Sequence, residues 1–372
     1  MDMVVEDWSS FFSKEIGKGS NLRGRSRILV DGYMAFIKHC ADLGVPPIFE
    51  NTHLRLLLGL DAAHFGALLT EHPGRYRKFT IPKRSGGERV ISSPNPALLH
   101  VQKWILRQIL DNAEVSDFAH GGIEGRSIVT NAREHLGAEA LLKLDIADFY
   151  GSVGFGFGIS TFQRFGYPRN VALSLTQFCF DGGSLPQGAA TSASLANLSC
   201  RLLDRRCHGL AKKYNLTYSR YFDDISFSGS FINERLVEIV SEIAMESGFE
   251  LNKRKTRLLL GKSTKYVTGI SVGGDRLRLP KKTRRAIRNS AYLLTKTGDV
   301  QGFAESAKDP LIIETVLGQV AFWRHVEPED DVAEELFQAL VELRRETDVP
   351  VELPAPWRPS PIPELDLEKV SD

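Results

Sequence analysis

The sequence predicts an α+β fold, and three observations carry that prediction. Leu142, Leu144 and Ile146 alternate with Lys143, Asp145 and Ala147, the two-residue period of a strand with one apolar face. Thr217–Tyr221 and Ile225–Ser228 are separated by a short polar turn and read as a hairpin, with Ile225 and Phe227 on one face and Ser226 and Ser228 on the other. Most of the remaining chain repeats its apolar residues every three to four positions, the helical period.

In chain order, residues 1–50 read as a helical extension with a glycine-rich break at Gly17–Gly24. Residues 51–75 are mainly helical, with Leu54, Leu57, Leu58 and Leu60 as an apolar cluster. Lys78–Ser93 reads as a second hairpin: Phe79-Thr80-Ile81 and Arg89-Val90-Ile91 flank Ser85-Gly86-Gly87, and Pro94 ends the second strand. Leu98–Leu110 is an amphipathic helix. Helical patterns resume over 127–136, 168–180, 190–214 and 231–247, then over 281–296, 301–308, 310–326 and 331–346. The last twenty or so residues are rich in proline and acids, a composition that favours an extended tail.

At 372 residues the chain is long enough for two or three subdomains. Apolar residues make up 42% and charged residues 25%, which fits a soluble globular protein. No apolar run reaches the roughly 18 residues of a membrane span, and residues 1–20 do not read as a secretory signal. Cys40, Cys179, Cys200 and Cys207 lack CxxC spacing, so reduced thiols in a cytoplasmic protein are expected and structural zinc is not. The net charge of +1 hides an asymmetry. From Lys253 to Arg288, thirteen Lys or Arg face one acid, Asp275; from Glu327 to Asp372, fourteen acids face four bases. The basic stretch suits phosphate, although it also fits a solvated helix face.

The chemistry concentrates in Tyr221-Phe222-Asp223-Asp224. Adjacent carboxylates at a turn repel each other, and become useful when a divalent cation lies between them and a further carboxylate. Asp145, on the face of its strand away from the apolar side, is the candidate third. The alternative is a polar hairpin turn beside a strand with an exposed Asp, a residue common in turns.

Taken together and in order, these stretches resemble the motif set of bacterial reverse transcriptases, and most nearly that of the retron enzymes. Ile81–Ile91 resembles their fingers hairpin, Leu141–Tyr150 and Tyr221–Asp224 their two catalytic motifs, Leu185-Pro186-Gln187-Gly188 the motif between them, and Gly318–Pro328 part of the thumb. Asn131-Ala132-Arg133-Glu134-His135 matches the retron NAxxH pattern and Val267-Thr268-Gly269 the VTG pattern. Ala190 and Ala193 stand where the family usually has prolines.

The resemblance implies a right-hand polymerase. Residues 51–140 would form the fingers and first palm elements. Residues 141–270 would form the palm, an antiparallel sheet backed by helices, with a fingers insertion at about 155–195. Residues 271–346 would form a helical thumb and 347–372 an acidic tail. It implies two Mg²⁺ ions, with Mn²⁺ as a substitute, held by Asp145, Asp223, Asp224 and the Ile146 carbonyl. Lys83 and Arg89 would close over the triphosphate of a dNTP, above the backbone amides of Phe149 and Tyr150. Tyr150 would exclude a ribose 2′-OH, Gln187 would position the nucleotide, and Tyr221 and Phe222 would lie at the primer end. Asp148 corresponds to no catalytic carboxylate in the family.

For RNA binding the resemblance points to Asn131, His135, Val267, Thr268 and Gly269, and the basic segment offers Lys281, Lys282, Arg284 and Arg285. The implied partners are a structured non-coding RNA serving as primer and template, its DNA product, and a separate effector protein in antiphage defence. Synthesis would start from an RNA 2′-OH and give a branched product. Other readings remain open: a defence-associated reverse transcriptase with another priming mode, or a catalytically silent RNA-binding scaffold. A group II intron maturase fits less well, since no endonuclease zinc pattern follows the thumb motif.

Overall fold

The computed structural model describes residues 27–70, 72–82, 86–298 and 300–347. The glycine-rich break at Gly17–Gly24, Lys83 and the acidic tail from residue 348 lie outside the described residues. The chain divides into two compact units, Met1–Arg278 and Leu279–Asp372.

The first unit opens with α1 (Arg27–Asp42), α2 (Asn51–Leu57) and α3 (Ala62–Leu69), the last capped by Asp61, whose side chain accepts from the His64 N–H. A hairpin follows, β1 (Tyr76–Pro82) and β2 (Glu88–Pro94), paired from Tyr76↔Pro94 to Pro82↔Glu88. Asn95 then caps α4 (Pro96–Gln108) by accepting from the Leu98 N–H, with a proline in the first turn, where its missing N–H costs nothing. Next come α5 (Ile128–Arg133), started by a Ser127–Thr130 capping box, β3 (Ala140–Asp145), α6 (Phe155–Arg164) and α7 (Arg169–Cys179). The expected helix over 190–214 is two helices, α8 (Ser192–Ser199) and α9 (Arg201–Lys213), broken at Cys200. Then follow β4 (Thr217–Tyr221), β5 (Asp224–Gly229), α10 (Arg235–Glu246), β6 (Arg257–Leu259), β7 (Tyr266–Val267) and β8 (Ile270–Ser271).

Four strands form one antiparallel sheet in the order β4-β5-β3-β6. Its register sets Asp145 opposite Asp224, and Tyr221 opposite Asp224 on the other side. Side chains alternate across a strand, so Tyr218, Arg220, Ile225, Phe227, Leu142 and Leu144 share one face. That face packs into the main core, where the four apolar ones among them and Tyr218 are buried with Leu203 and Cys207 of α9 and Val240 of α10. The other face carries Asp145 and Asp224 at one end, with Ser219, Ser226 and Ser228 further along. The serines are buried as well.

The second unit contains α11 (Lys281–Thr297), α12 (Val300–Ala307), α13 (Ile312–Val326) and α14 (Asp331–Thr347) around Ile287, Leu294, Val316, Val320, Trp323 and Leu340, all buried. Gly298 ends α11 in the left-handed region at φ +63, its N–H returning to the Leu294 carbonyl. Residues 271–278, expected with the thumb, belong to the first unit, where Ser271 and Arg278 exchange backbone hydrogen bonds.

Candidate active site

β4 and β5 are joined by two residues, Phe222 and Asp223, and Phe222 adopts φ +53. Tight hairpin links need a positive φ at a central position, and a bulky side chain adopts one only when its surroundings hold it. The Asp223 carbonyl accepts from the Ile146 N–H at 2.9 Å, which ties the turn to the end of β3. Asp145, Asp223 and Asp224 therefore meet at one end of the sheet. Burial, then the charges of Asp224 and Asp145, push the Asp223 carboxyl up to about 6. Burial also raises Asp224; Asp145 adds to the shift, and Lys143 and Lys255 oppose it. Crowding of this kind destabilises a metal-free fold and favours a bound cation.

Lys255 is a site residue that the sequence reading left inside the general basic stretch. Its Nζ lies 2.7 Å from Asp145 Oδ2, and its side chain is 53% exposed. Hydrogen bonding to Asp145 raises the ammonium's pKa. The segment reaches the site because Asn252 N–H donates to the Asp145 carbonyl, and Ala147 N–H to that of Glu250, both at 2.8 Å. Among the described residues no three carboxylate, imidazole or thiolate groups are already closed into a ligand shell. The Asp145 carboxylate is engaged by Lys255 instead. In chemistry the three aspartates fit a hard divalent cation: they are oxygen donors crowded at one end of the sheet, beside a half-exposed ammonium that a cation can displace. The Ile146 carbonyl accepts no hydrogen bond among the described residues, so it remains free as a further oxygen donor.

The nucleotide-handling candidates surround this end of the sheet. Ser92 N–H of β2 donates to the Gln187 carbonyl at 2.8 Å, docking the hairpin on the Leu185–Ala190 loop. Gly188 permits the contact: it adopts φ +126, and a Cβ there would lie 2.8 Å from the Ser92 carbonyl oxygen. Arg89 is exposed on β2, and Tyr150 is half-buried. Burial and the Asp223 charge raise the Tyr150 phenol while Arg89 lowers it, so these three groups share one electrostatic neighbourhood. Phe149 is buried, and among the described residues neither its N–H nor that of Tyr150 donates to a protein acceptor. Asp148 is exposed at φ +43 with its carboxylate over Gly151, which makes it a turn residue. Phe222 is half-buried, its ring seated on Gly121 and Gly122, where an added Cβ would approach it to 2.8 and 2.9 Å. Tyr221 meets that ring edge-on at 5.2 Å.

The structure corrects the expected RNA contacts of the NAxxH and VTG motifs. Asn131 and His135 are each 1% exposed. His135 Nδ1 lies 2.7 Å from Ser228 Oγ and Nε2 lies 2.7 Å from Ser219 Oγ, and Ser219 Oγ donates to Asn131 Oδ1 at 2.7 Å. The pair thus covers the serine end of the sheet and is closed to a ligand. Val267 is fully buried, and Thr268 Oγ1 donates to the Ile128 carbonyl of α5 at 2.7 Å, so the VTG turn docks on the NAxxH helix. Gly269 alone of the five is exposed.

Arg284 is the other correction. It pairs with Glu327 at 3.2 Å and stands 3.8 Å from Asp330, so its charge is largely matched within its own unit. Glu327, counted by sequence with the acidic tail, is buried and also accepts from the Leu279 N–H. Lys281, Lys282 and Arg285 are exposed. Lys281, Arg285, Arg288 and Tyr292 of α11, with Trp323 of α13 and Asp330, line an open groove of about 550 Å³.

A sheet carrying aspartates on a hairpin turn and on the neighbouring strand end is the palm of a right-hand polymerase. Residues 81–284 match the family described as reverse transcriptase (RNA-dependent DNA polymerase), and the chain belongs to that family, in its retron-type branch. It is 35% identical over 251 residues to the retron Mx65 reverse transcriptase of Myxococcus xanthus, covering 62% of this chain and 58% of that protein. It is 33% identical over 252 residues to the retron Ec86 reverse transcriptase of Escherichia coli, covering 66% of this chain and 78% of that protein. The chain therefore spans little more than half the length of the Myxococcus relative. A solved telomerase from Candida albicans superposes with a TM-score of 0.41 at 11% identity over 74% of this chain and 64% of that one, too loosely to argue from.

Proposed function

We propose that this chain is an RNA-directed DNA polymerase that copies a structured non-coding RNA. The observation that carries the reading is the convergence of Asp145, Asp223 and Asp224 at the end of the palm sheet, with Asp223 raised by burial and then by the other two carboxylates. Asp145, Asp223 and the Ile146 carbonyl would hold the cations, and Asp224 would support them. When bound, two Mg²⁺ ions, or Mn²⁺, supply Lewis-acid stabilisation of the attacking and leaving oxygens. Lys255 neutralises Asp145 in the metal-free site, and its half-exposed ammonium is placed to face phosphate. Arg89 and Lys83 close on the triphosphate, the Phe149 and Tyr150 amides donate to it, Gln187 positions the nucleotide, and the Tyr150 ring blocks a 2′-OH. Tyr221 and the open edge of Phe222 flank the primer end.

Kinship with retron enzymes supports the finer reading: the RNA serves as primer and template, synthesis starts from a 2′-OH, and the branched RNA–DNA product acts in antiphage defence with a separate effector protein. Exposed Gly269, Lys281, Lys282 and Arg285 are the RNA-contact residues. Four free, buried cysteines and the absence, among the described residues, of any helix long and apolar enough to cross a membrane support a cytoplasmic setting.

The test is Mg²⁺-dependent dNTP incorporation on an RNA template, together with sequencing of the nucleic acid that co-purifies. Asp223→Asn should lower incorporation by about 10³-fold or more while RNA affinity stays near parental. Incorporation by that variant at close to the parent rate refutes the catalytic reading and leaves an RNA-binding scaffold. Product DNA without RNA at its 5′ end would point to another priming mode.

A further inference from the structure

We infer that Arg220 is a positioning residue for the metal-binding turn. This rests on the reading of Asp145, Asp223 and Asp224 as cation ligands and adds the device that aims Asp223. Arg220 is the residue before Tyr221-Phe222-Asp223-Asp224, and its side chain is fully buried. A buried guanidinium persists only when its donors are matched. Nε and Nη2 donate to Asp204 Oδ1 and Oδ2 of α9, each at 2.8 Å, a two-pronged pairing that already neutralises the charge. Nη1 has a different task. It donates to Asn197 Oδ1 of α8 at 3.0 Å and to the Phe222 carbonyl at 3.0 Å.

That carbonyl belongs to the peptide joining Phe222 to Asp223. The next peptide, joining Asp223 to Asp224, is held through its own carbonyl by the Ile146 N–H at 2.9 Å. Both peptides flanking the Asp223 α-carbon are therefore anchored, one by Arg220 and one by the end of β3. With both planes fixed, the direction of the Asp223 Cα–Cβ bond is fixed too. The anchor matters because Phe222 holds φ +53, which a bulky residue leaves unless constrained.

The support behind Arg220 is continuous. Asn197 Nδ2 donates to the Gly121 carbonyl at 2.8 Å, and Gly121 and Gly122 seat the Phe222 ring. The backbone of Arg220 donates to the Phe118 carbonyl and accepts from the His120 N–H, both at 2.8 Å. Tyr218 adds its hydroxyl to Asp204 Oδ1 at 2.7 Å. Helices α8 and α9 and the 118–122 segment thus converge on one residue, which passes their placement to the turn.

The decisive variant is Arg220→Lys. A lysine keeps a charge for Asp204, but its single nitrogen cannot span the carboxylate, Asn197 and the Phe222 carbonyl together. The measurements are Mn²⁺ binding by electron paramagnetic resonance without nucleotide, thermal melting, and kcat and KM for dNTP. A cooperative melt is expected, with Mn²⁺ affinity weakened about fivefold or more and kcat down about tenfold or more, while the dNTP KM moves less than about threefold. A folded Arg220→Lys protein with Mn²⁺ affinity and kcat within about twofold of the parent overturns the inference. Should it not melt cooperatively, Asp204→Asn, which keeps the shape and loosens the pairing, should weaken Mn²⁺ binding about threefold or more. Parental Mn²⁺ affinity in that variant overturns the inference, and so does loss of the fold in both, since the pair would then hold the core and nothing further. Asp223→Asn is the control: if it binds Mn²⁺ as the parent does, the failure lies with the reading of the aspartates and not with Arg220.

Discussion

The imidazole of His135 is held neutral by its surroundings. Burial, then the His120 charge, lowers its pKa to about 3. Its hydrogen-bond network also fixes the tautomer. Ser219 Oγ donates to Asn131, so it must accept from His135 Nε2–H, which leaves Nδ1 to accept from Ser228. His135→Ala would leave these buried groups unmatched and should cost about 2–4 kcal/mol, read from denaturant melts. It should lower self-primed and externally primed synthesis together, because the loss acts through the sheet. The pH dependence follows from the depressed pKa. The unfolded chain takes up the proton first, so this contribution is complete above about pH 6.5 and is lost as pH falls toward 3. His135→Gln should remove that part of the acid-side loss in melts recorded between pH 7 and 4. Tyr150 makes a separate case. Tyr150→Val should reduce discrimination against rNTPs about tenfold or more, measured as the ratio of kcat/KM values; unchanged selectivity in an active variant would assign the ring to packing.

Among the elements, the contact between β2 and the Leu185–Ala190 loop holds the hairpin at a close backbone approach. Gly188→Ala would place a Cβ against the Ser92 carbonyl at a φ that L-residues avoid, and neither is the end of a flexible side chain that could move aside. A cost of about 1–3 kcal/mol is expected, with a raised KM for dNTP as the hairpin shifts. A parental KM and melting temperature would show that the loop relaxes freely. The same packing logic explains why α6 escaped the sequence reading. Its four leading residues, Phe155-Gly156-Phe157-Gly158, lower helix propensity. Packing overrides this, since a Cβ on Gly158 would lie 2.5 Å from Thr176 and 2.6 Å from Phe180. β6, β7 and β8 were missed because strands of two or three residues carry no readable period. β3 and the β4–β5 hairpin were legible because Leu142, Leu144 and Ile146, and then Ile225 and Phe227, recur at every second position, the latter after a short polar turn.

Over the whole molecule, the even net charge conceals cations with different tasks. Lys255 faces Asp145, Lys265 donates to the Gly261 and Ser263 carbonyls, and Arg284 faces Glu327. Lys281, Lys282, Arg285 and Arg288 are exposed, and the proposed RNA contact falls to them. Neutralising these four should flatten the slope of log affinity for RNA against log salt by about 3, given roughly 0.7 per single-strand phosphate contact. An unchanged slope would make the cluster a solvated face. Arg284→Gln should instead lower the stability of the second unit, leaving buried Glu327 with a weaker partner, and change the salt slope little.

The three candidate-site aspartates, both hairpins and most helices could be read from the chain because carboxylate type, turn chemistry and apolar period are local properties. What the motifs do was not local. Asn131 and His135 are four residues apart, and that spacing serves a buried lock as well as it would an RNA contact; only the serines of β4 and β5, more than eighty residues away, decide between them. Arg220 reads as one strand residue among others until Asp204, Asn197 and the Phe222 carbonyl close around it. Hydrogen bonds and ion pairs form between groups that folding brings together, so a side chain's partner, and with it its task, was decided by tertiary structure.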